Sequence, residues 1–269
     1  MKTVLFCGGL GTRIRDVSET IPKPMIPIGD KPISCHLMHY YSEFGHKDFV
    51  LCLGYKANIV KDFFLNFRPQ AYVDCVTGFG GKVELLGDPQ ENWRIAMIDT
   101  GIWRNIGERP WAVREHVAGE EMFYANYSDG LCDVDLTDMT AAFRSAKIAC
   151  FIAVRPSFSL RLVEMPPSGK VQRICSSQQA NLWINGGFFV FRPAIFDYMR
   201  LGEELVESPF QRLIEADQLM AFRHEGFWRP MDTLKDNQAL EDLVEKGVMP
   251  WHLNGAPRFS VSGAQRKIQ

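Results

Sequence analysis

Along the first half of the chain, short apolar runs alternate with stretches in which apolar residues recur every three or four positions. That is the rhythm of a parallel sheet whose strands are joined by crossover helices. Residues 3–7 read as a compact strand. Ile33, Leu37, Met38, Tyr41 and Phe44 share one helical face and run into Gly45, a residue suited to the left-handed turn that stops a helix. A strand is expected at 49–53, a helix at 57–67, strands at 94–98 and 122–127, and a helix at 110–117 between the last two. Residues 135–146 read as a helix capped by Asp135 or Thr137, and 148–154 as a strand. Beyond 158 the order loosens into a hairpin region reaching 173, a strong strand at 183–191, short helices near Ala194 and Phe210, and a last helix at 233–246. No repeat, low-complexity tract or Pro/Gly/Ser linker interrupts the chain. The pattern predicts an α/β fold: a Rossmann-like mixed, mainly parallel sheet flanked by helices, with a smaller C-terminal β/α elaboration. It is read as a single domain over 1–256, divided near 155, with a tail at 257–269.

Composition narrows what such a domain does. With 269 residues, 46% of them apolar, there is enough apolar material for a large core. Thirty basic residues against 32 acidic ones leave a net charge of -2, without the basic excess that nucleic-acid binding calls for. Any phosphate the chain meets is therefore expected on a small molecule, and neither nucleic acid nor membrane is an expected partner. The seven cysteines are odd in number and include no C-x-x-C pair, which fits reduced buried thiols. Met1 leads straight into an apolar strand with no signal-peptide pattern, and no run reaches membrane-spanning length, so the cytoplasm is the expected compartment.

Candidate chemistry begins at Gly8-Gly9-Leu10-Gly11-Thr12-Arg13, directly after the first strand. Glycines at such a turn let backbone N–H groups approach a phosphate without Cβ interference. A dinucleotide reading would want an acidic residue ending the second strand, where Leu53-Gly54-Tyr55 stands, and a Walker-type loop would end in Gly-Lys-Ser/Thr rather than Gly11-Thr12-Arg13. About ten residues on, Pro22-Lys23-Pro24-Met25 holds one lysine between two prolines, a rigid mount for an ammonium placed to neutralise a reacting phosphate.

These two motifs, with Ile28-Gly29-Asp30-Lys31-Pro32-Ile33, Gly54-Tyr55-Lys56, Asp99-Thr100-Gly101, Asn185-Gly186-Gly187-Phe188-Phe189-Val190 and the stretch from Gly226 to Thr233, resemble the sugar-phosphate nucleotidyltransferases. The last two stretches resemble the cytidylyltransferase branch, and the likeness runs to about Trp251. It implies the nucleotide-diphospho-sugar transferase fold, with 1–155 binding nucleotide and 156–256 the acceptor. It further implies transfer of a nucleoside monophosphate, CMP being favoured, from CTP to a sugar 1-phosphate, glucose 1-phosphate foremost, with release of pyrophosphate. Lys23, Arg13 and Asp129 would be catalytic, with Asp129 and Asp232 holding Mg²⁺. Leu5, Cys7, Gly8, Gly9, Gly11, Thr12, Arg13, Lys23, Gly101, Arg109 and Ser128 would face the nucleotide. Asn185, Gly186, Arg173, Ser177 and Asp232 would face the acceptor. The family often oligomerises, and 63–65 and Trp251 would suit an interface between copies. Asp16, Asp133, Asp135 and Asp236 read as solvated or capping residues, and the six histidines as core or surface residues.

Four departures from the family pattern fall on the acceptor half. Where Glu-Lys-Pro is usual, the chain has Cys175-Ser176-Ser177-Gln178-Gln179, with Arg173 as the nearest cation. Ser157-Phe158-Ser159-Leu160-Arg161 replaces Gly-Arg-Phe-Gly, Ser208 stands for a glutamate before Pro209, and Asn105-Ile106-Gly107-Glu108-Arg109 replaces Thr-Gly-Gly-Arg. Two alternatives stay open beside glucose 1-phosphate: another phosphorylated or phosphonate acceptor, or a silent nucleotide-binding regulatory protein.

Overall fold

Near-continuous apolar runs become strands buried on both faces, as a sheet between two helical layers requires. The computed structural model describes residues 1–11, 14, 20–67, 75–77, 83–85, 92–143, 147–156, 161–177 and 179–253. Its central sheet has seven strands, here β1 (Lys2–Phe6), β4 (Asp48–Leu53), β7 (Arg94–Asp99), β8 (Phe123–Asn126), β10 (Ala149–Val154), β13 (Ile184–Phe191) and β14 (Leu219–His224), in the order β14-β10-β13-β8-β1-β4-β7. Only β13 runs against its neighbours. The mainly parallel sheet expected from the sequence is therefore the one observed. Strands from either side of residue 155 share it, so the C-terminal part completes the first sheet.

Alternation along each strand feeds two cores. Leu5, Leu51, Leu53, Tyr124 and Val190 pack on one face with α1 (Ile33–Glu43), while Val4, Phe6, Val50, Cys52, Phe123 and Phe189 pack on the other. Gly45, at φ 83°, ends α1 as anticipated. The helix α2 (Ala57–Leu65) also falls where expected. The helix expected at 110–117 is instead two short ones, α3 (Glu108–Ala112) and α4 (Arg114–Val117), separated at Val113 with φ -107°. Asp135 caps α5 (Leu136–Phe143), its Oδ1 accepting the N–H groups of Thr137 and Asp138. Thr233 and Asp236 form a reciprocal capping box on the last helix, α7 (Leu234–Glu245). Between these lies α6 (Ser208–Glu215).

Among the described residues, four two-stranded ribbons flank the central sheet: β2 (Pro27–Ile28) with β3 (Lys31–Pro32), β5 (Cys75–Thr77) with β6 (Val83–Leu85), β9 (Gly130–Cys132) with β15 (Trp228–Pro230), and β11 (Arg161–Glu164) with β12 (Arg173–Ser176). Six cysteines, at 7, 35, 52, 132, 150 and 175, are free and buried. Among the described residues no helix is long and apolar enough to cross a membrane. Trp251 corrects the expectation of an exposed interface residue. It is 1% exposed and its indole N–H donates to His36 Nδ1 at 3.3 Å, so it belongs to the core.

Gly187 adopts φ 78° in β13, and a Cβ there would stand 2.6 Å from the Tyr127 ring. Gly187→Ala is therefore expected to destabilise the protein by about 2 kcal/mol or more, combining a left-handed penalty with overpacking. An unchanged urea midpoint would contradict this.

Candidate active site

The carboxyl ends of β1 and β8 open onto a cleft of about 280 Å³ lined by Gly9, Gly11, Lys23, Tyr127, Ser128 and Asp129. This is the edge at which parallel α/β sheets expose ligand sites. Lys23 begins a single 3-10 turn, Lys23–Met25, in which Pro22 precedes it and Pro24 pre-sets the following φ. With the main chain so fixed, its side chain projects between two carboxylates. Nζ lies 2.7 Å from Asp129 Oδ2 and 2.7 Å from Asp232 Oδ1.

Backbone pairing places those carboxylates together although 103 positions separate them (232 minus 129). Ser128 takes the left-handed conformation, φ 63°, and its hydroxyl donates to the Phe6 carbonyl at 2.8 Å, tying the turn after β8 to the end of β1. Just beyond, β9 pairs antiparallel with β15. The Met231 N–H then donates to the Asp129 carbonyl at 2.7 Å, leaving Asp232 beside Asp129. Burial by itself would lower the Lys23 pKa. Attraction and hydrogen bonds from Asp129, joined by those from Asp232, outweigh it and hold the ammonium above the ordinary lysine value.

The glycine loop is held from beneath by Arg109, which is 2% exposed. Its Nη2 donates to the carbonyls of Gly8 at 2.8 Å and Arg104 at 2.9 Å. Its Nη1 meets Thr100 Oγ1 at 2.8 Å and the carbonyls of Leu53 and Gly101 at 3.3 Å each. The guanidinium thus fastens together the segments that leave β1, β4 and β7. A Cβ on Gly8 would sit 1.9 Å from Nη1, so glycine at this position lets the arginine in. The sequence reading placed Arg109 against the nucleotide; here its guanidinium is spent on the protein's own carbonyls.

The other expected residues divide. Thr12 and Arg13 lie outside the described residues. Leu5 is wholly in the core, and burial pushes the Cys7 thiol up to about 12, so neither side chain offers charge to a ligand. Asn185 donates through Nδ2 to the Tyr127 hydroxyl at 3.1 Å, placing it at the cleft wall, while the Gly186 carbonyl accepts the Trp228 indole N–H at 2.8 Å. Ser177 is 1% exposed. Ser176 closes a turn on Gln179, whose N–H reaches the Ser176 carbonyl at 3.0 Å; Gln178 lies outside the described residues, as do 157–160. Arg173 is not brought to the Lys23 cluster. It stands exposed on the β11–β12 hairpin and pairs with Glu164 at 3.4 Å. Arg161, on the same hairpin, is in register with Ser176. Asp133 also departs from a purely solvated role, its Oδ1 lying 2.8 Å from His224 Nε2.

Residues 2–77 match the family described as Nucleotidyl transferase. The chain is 37% identical over 255 residues to the glucose-1-phosphate cytidylyltransferase of Salmonella typhi, covering 93% of this chain and 98% of that one. The corresponding protein of Salmonella typhimurium matches at the same identity and coverage. The mannose-1-phosphate guanyltransferase of Schizosaccharomyces pombe is 24% identical over 246 residues, 88% of this chain and 62% of that one. Among solved structures, UDP-glucose pyrophosphorylase complexed with UDP-glucose superposes with a TM-score of 0.64 at 15% identity, over 91% of this chain and 98% of that one. The CTP:phosphocholine cytidylyltransferase of Streptococcus pneumoniae gives 0.56 at 18% identity, over 90% and 98%. These two likenesses concern the fold.

Removing the Arg109 fork would strand several buried carbonyls, each costing about 1–3 kcal/mol. Arg109→Ala is expected to lower unfolding free energy by at least about 3 kcal/mol, and Arg109→Lys to recover little, because an ammonium cannot span a planar fork. Denaturant titration checks this, and wild-type stability in Arg109→Lys would contradict it.

Proposed function

From the premise that this chain belongs to the sugar-phosphate nucleotidyltransferase family, we propose that it is a Mg²⁺-dependent cytidylyltransferase. It transfers CMP from CTP to a sugar 1-phosphate, glucose 1-phosphate foremost, and releases pyrophosphate. The observation that carries the reading is the position of the Lys23 ammonium, 2.7 Å from both Asp129 and Asp232 at the mouth of a glycine loop. The 37% identity to cytidylyltransferases over 93% of the chain supports the choice of nucleotide and acceptor.

In the reaction, an acceptor phosphate oxygen forms a bond to the α-phosphorus of CTP while the bond from that phosphorus to the β-phosphate bridging oxygen breaks. The acceptor phosphate is already ionised near pH 7, so no general base is needed. What the chain must do is align two anions and offset their repulsion. The amides of 8–11 would cradle phosphate, and Lys23 would supply positive charge, joined in this reading by Arg13, which lies outside the described residues.

Two carboxylates converging on one cation fit a magnesium site, since Mg²⁺ is commonly held by one or two carboxylates together with water and substrate phosphates. Asp129 and Asp232 would hold the ion, which when bound would neutralise phosphate oxygens and the leaving pyrophosphate. Lys23, held between the two carboxylates, would direct its charge toward the reacting phosphate. Asn185 and Tyr127 line the acceptor side. The reading also has the protein acting in the cytoplasm as a homo-oligomer. The exposed Val163, Met165, Val171 and Ile174 on and around the β11–β12 hairpin offer an apolar surface for self-association.

Lys23→Ala and Asp129→Asn are each expected to lower turnover by more than about a hundredfold, the scale of losing one positioned charge in a transition state. Continuous measurement of pyrophosphate release checks this, and wild-type turnover in either variant would remove the assigned roles. Lys23 has a raised pKa, so its charge, and the stability it contributes, are present below the unfolded lysine value of about 10.4 and lost only as pH rises through the folded value. The rate is accordingly expected to show no Lys23-linked loss between about pH 7 and pH 9. A fall there that vanishes in Lys23→Arg would contradict it.

A further inference from the structure

Helix α1 places His39 and Glu43 one turn apart on a single face, and the chain returns more than two hundred residues later to set His252 against them. His39 Nε2 lies 3.7 Å, and His252 Nδ1 3.8 Å, from Glu43 Oε1. All three donor atoms fall within 4.8 Å of one another. The His252 side chain is 4% exposed, and its fully buried Nδ1 has no hydrogen-bond partner. A buried imidazole nitrogen left in that state costs free energy that a bound ligand would recover.

We propose that His39, Glu43 and His252 form a binding site for a divalent cation of the zinc class, which fastens the C-terminal segment onto α1. Two imidazole nitrogens and one carboxylate oxygen suit Zn²⁺ and other imidazole-preferring metals, whereas Mg²⁺ favours an all-oxygen set, so the site is chemically distinct from Asp129 and Asp232. Ligand atoms around a tetrahedral zinc stand about 3.3 Å apart, so the observed spacings need to close by only about 0.5–1.5 Å. The side chains of His39 and Glu43 are 15% and 9% exposed, which leaves an approach for the ion and for water at a fourth position.

Neighbouring groups hold the frame. Glu43 Oε2 accepts the Leu253 N–H at 3.1 Å. His36 is excluded as a ligand: its Nε2 donates to the Ile28 carbonyl at 2.8 Å and its Nδ1 accepts from Trp251. Burial pulls the His36 pKa down to about 3, so it adds no charge to repel the ion. The ribbon at Ile28 follows the Lys23 turn, and α7 also grips it, Asn237 Nδ2 reaching the Pro27 carbonyl at 3.1 Å. A metal at His252 would thus brace the framework from which Lys23 projects.

The test is competition titration of the chelator-stripped full chain with ZnCl2 against a chromophoric chelator, alongside thermal melting. One equivalent is expected to bind and to raise the melting temperature. His39→Ala and Glu43→Gln should each weaken binding by more than about a hundredfold, beyond what loss of a group that merely orients a ligand costs. His224→Ala, at the separate Cys132–Asp133–His224 cluster, should leave binding unchanged. Cobalt substitution should give visible bands without a thiolate charge-transfer band. Wild-type affinity in His39→Ala, a thiolate band, or the absence of any stoichiometric binding would each overturn the proposal. His39 and Glu43 are partly exposed, so both variants can be confirmed as folded by circular dichroism.

Discussion

Three charges, from residues 23, 129 and 232, meet at one point of the cleft, and the geometry around it follows from keeping them there. At an effective dielectric of about 20, an ammonium 2.7 Å from each carboxylate is attracted to each by on the order of 6 kcal/mol, and the repulsion between the two carboxylates subtracts from that gain. Desolvation of three side chains offsets much of that gain, so the trio is better understood as a poised site than as a source of stability. Lys23, 2.7 Å from each, offsets the repulsion between the two carboxylates. In the proposed function, a metal-bound triphosphate would supply a cation to the carboxylates and an anion to the lysine.

Hydrogen bonds to the main chain and the two prolines, more than apolar packing, hold the trio in place. Two prolines fix the Lys23 turn, the β9–β15 ribbon sets Asp129 beside Asp232, and the Ser128 hydroxyl ties that ribbon to the end of β1. Arg109 does the same for the glycine loop from below, which explains why a buried guanidinium with no carboxylate among its hydrogen-bond partners is tolerated: five neighbouring acceptors take up its donors. The glycine loop and the two carboxylates therefore rest on two separate braces meeting at the carboxyl edge of the sheet.

Much of this was legible in the chain. Apolar runs located β1, β4, β7, β8, β10 and β13, and helical periodicity located α1 with its glycine stop and α7. Lys23 was marked by its flanking prolines, Asp129 and Asp232 came through resemblance, and the structure brings the three together. Three-residue strands paired across about a hundred positions, such as β9 with β15, leave no periodic trace. Arg109 looked like a nucleotide contact because sequence cannot tell an arginine facing a ligand from one facing carbonyls. Trp251 looked like a surface residue because its partner His36 lies over two hundred positions away, and His252 was hidden for the same reason. Of the departures at 175–179, Ser176 and Gln179 form a turn, the Gln179 N–H donating to the Ser176 carbonyl.

The most direct measurement of the central claim is pyrophosphate release across a grid of nucleoside triphosphates and phosphorylated acceptors, with and without Mg²⁺. The account predicts release that requires Mg²⁺ and an acceptor together, highest with CTP and a sugar 1-phosphate, and a CDP-linked product. CTP binding with no pyrophosphate released for any acceptor would contradict it.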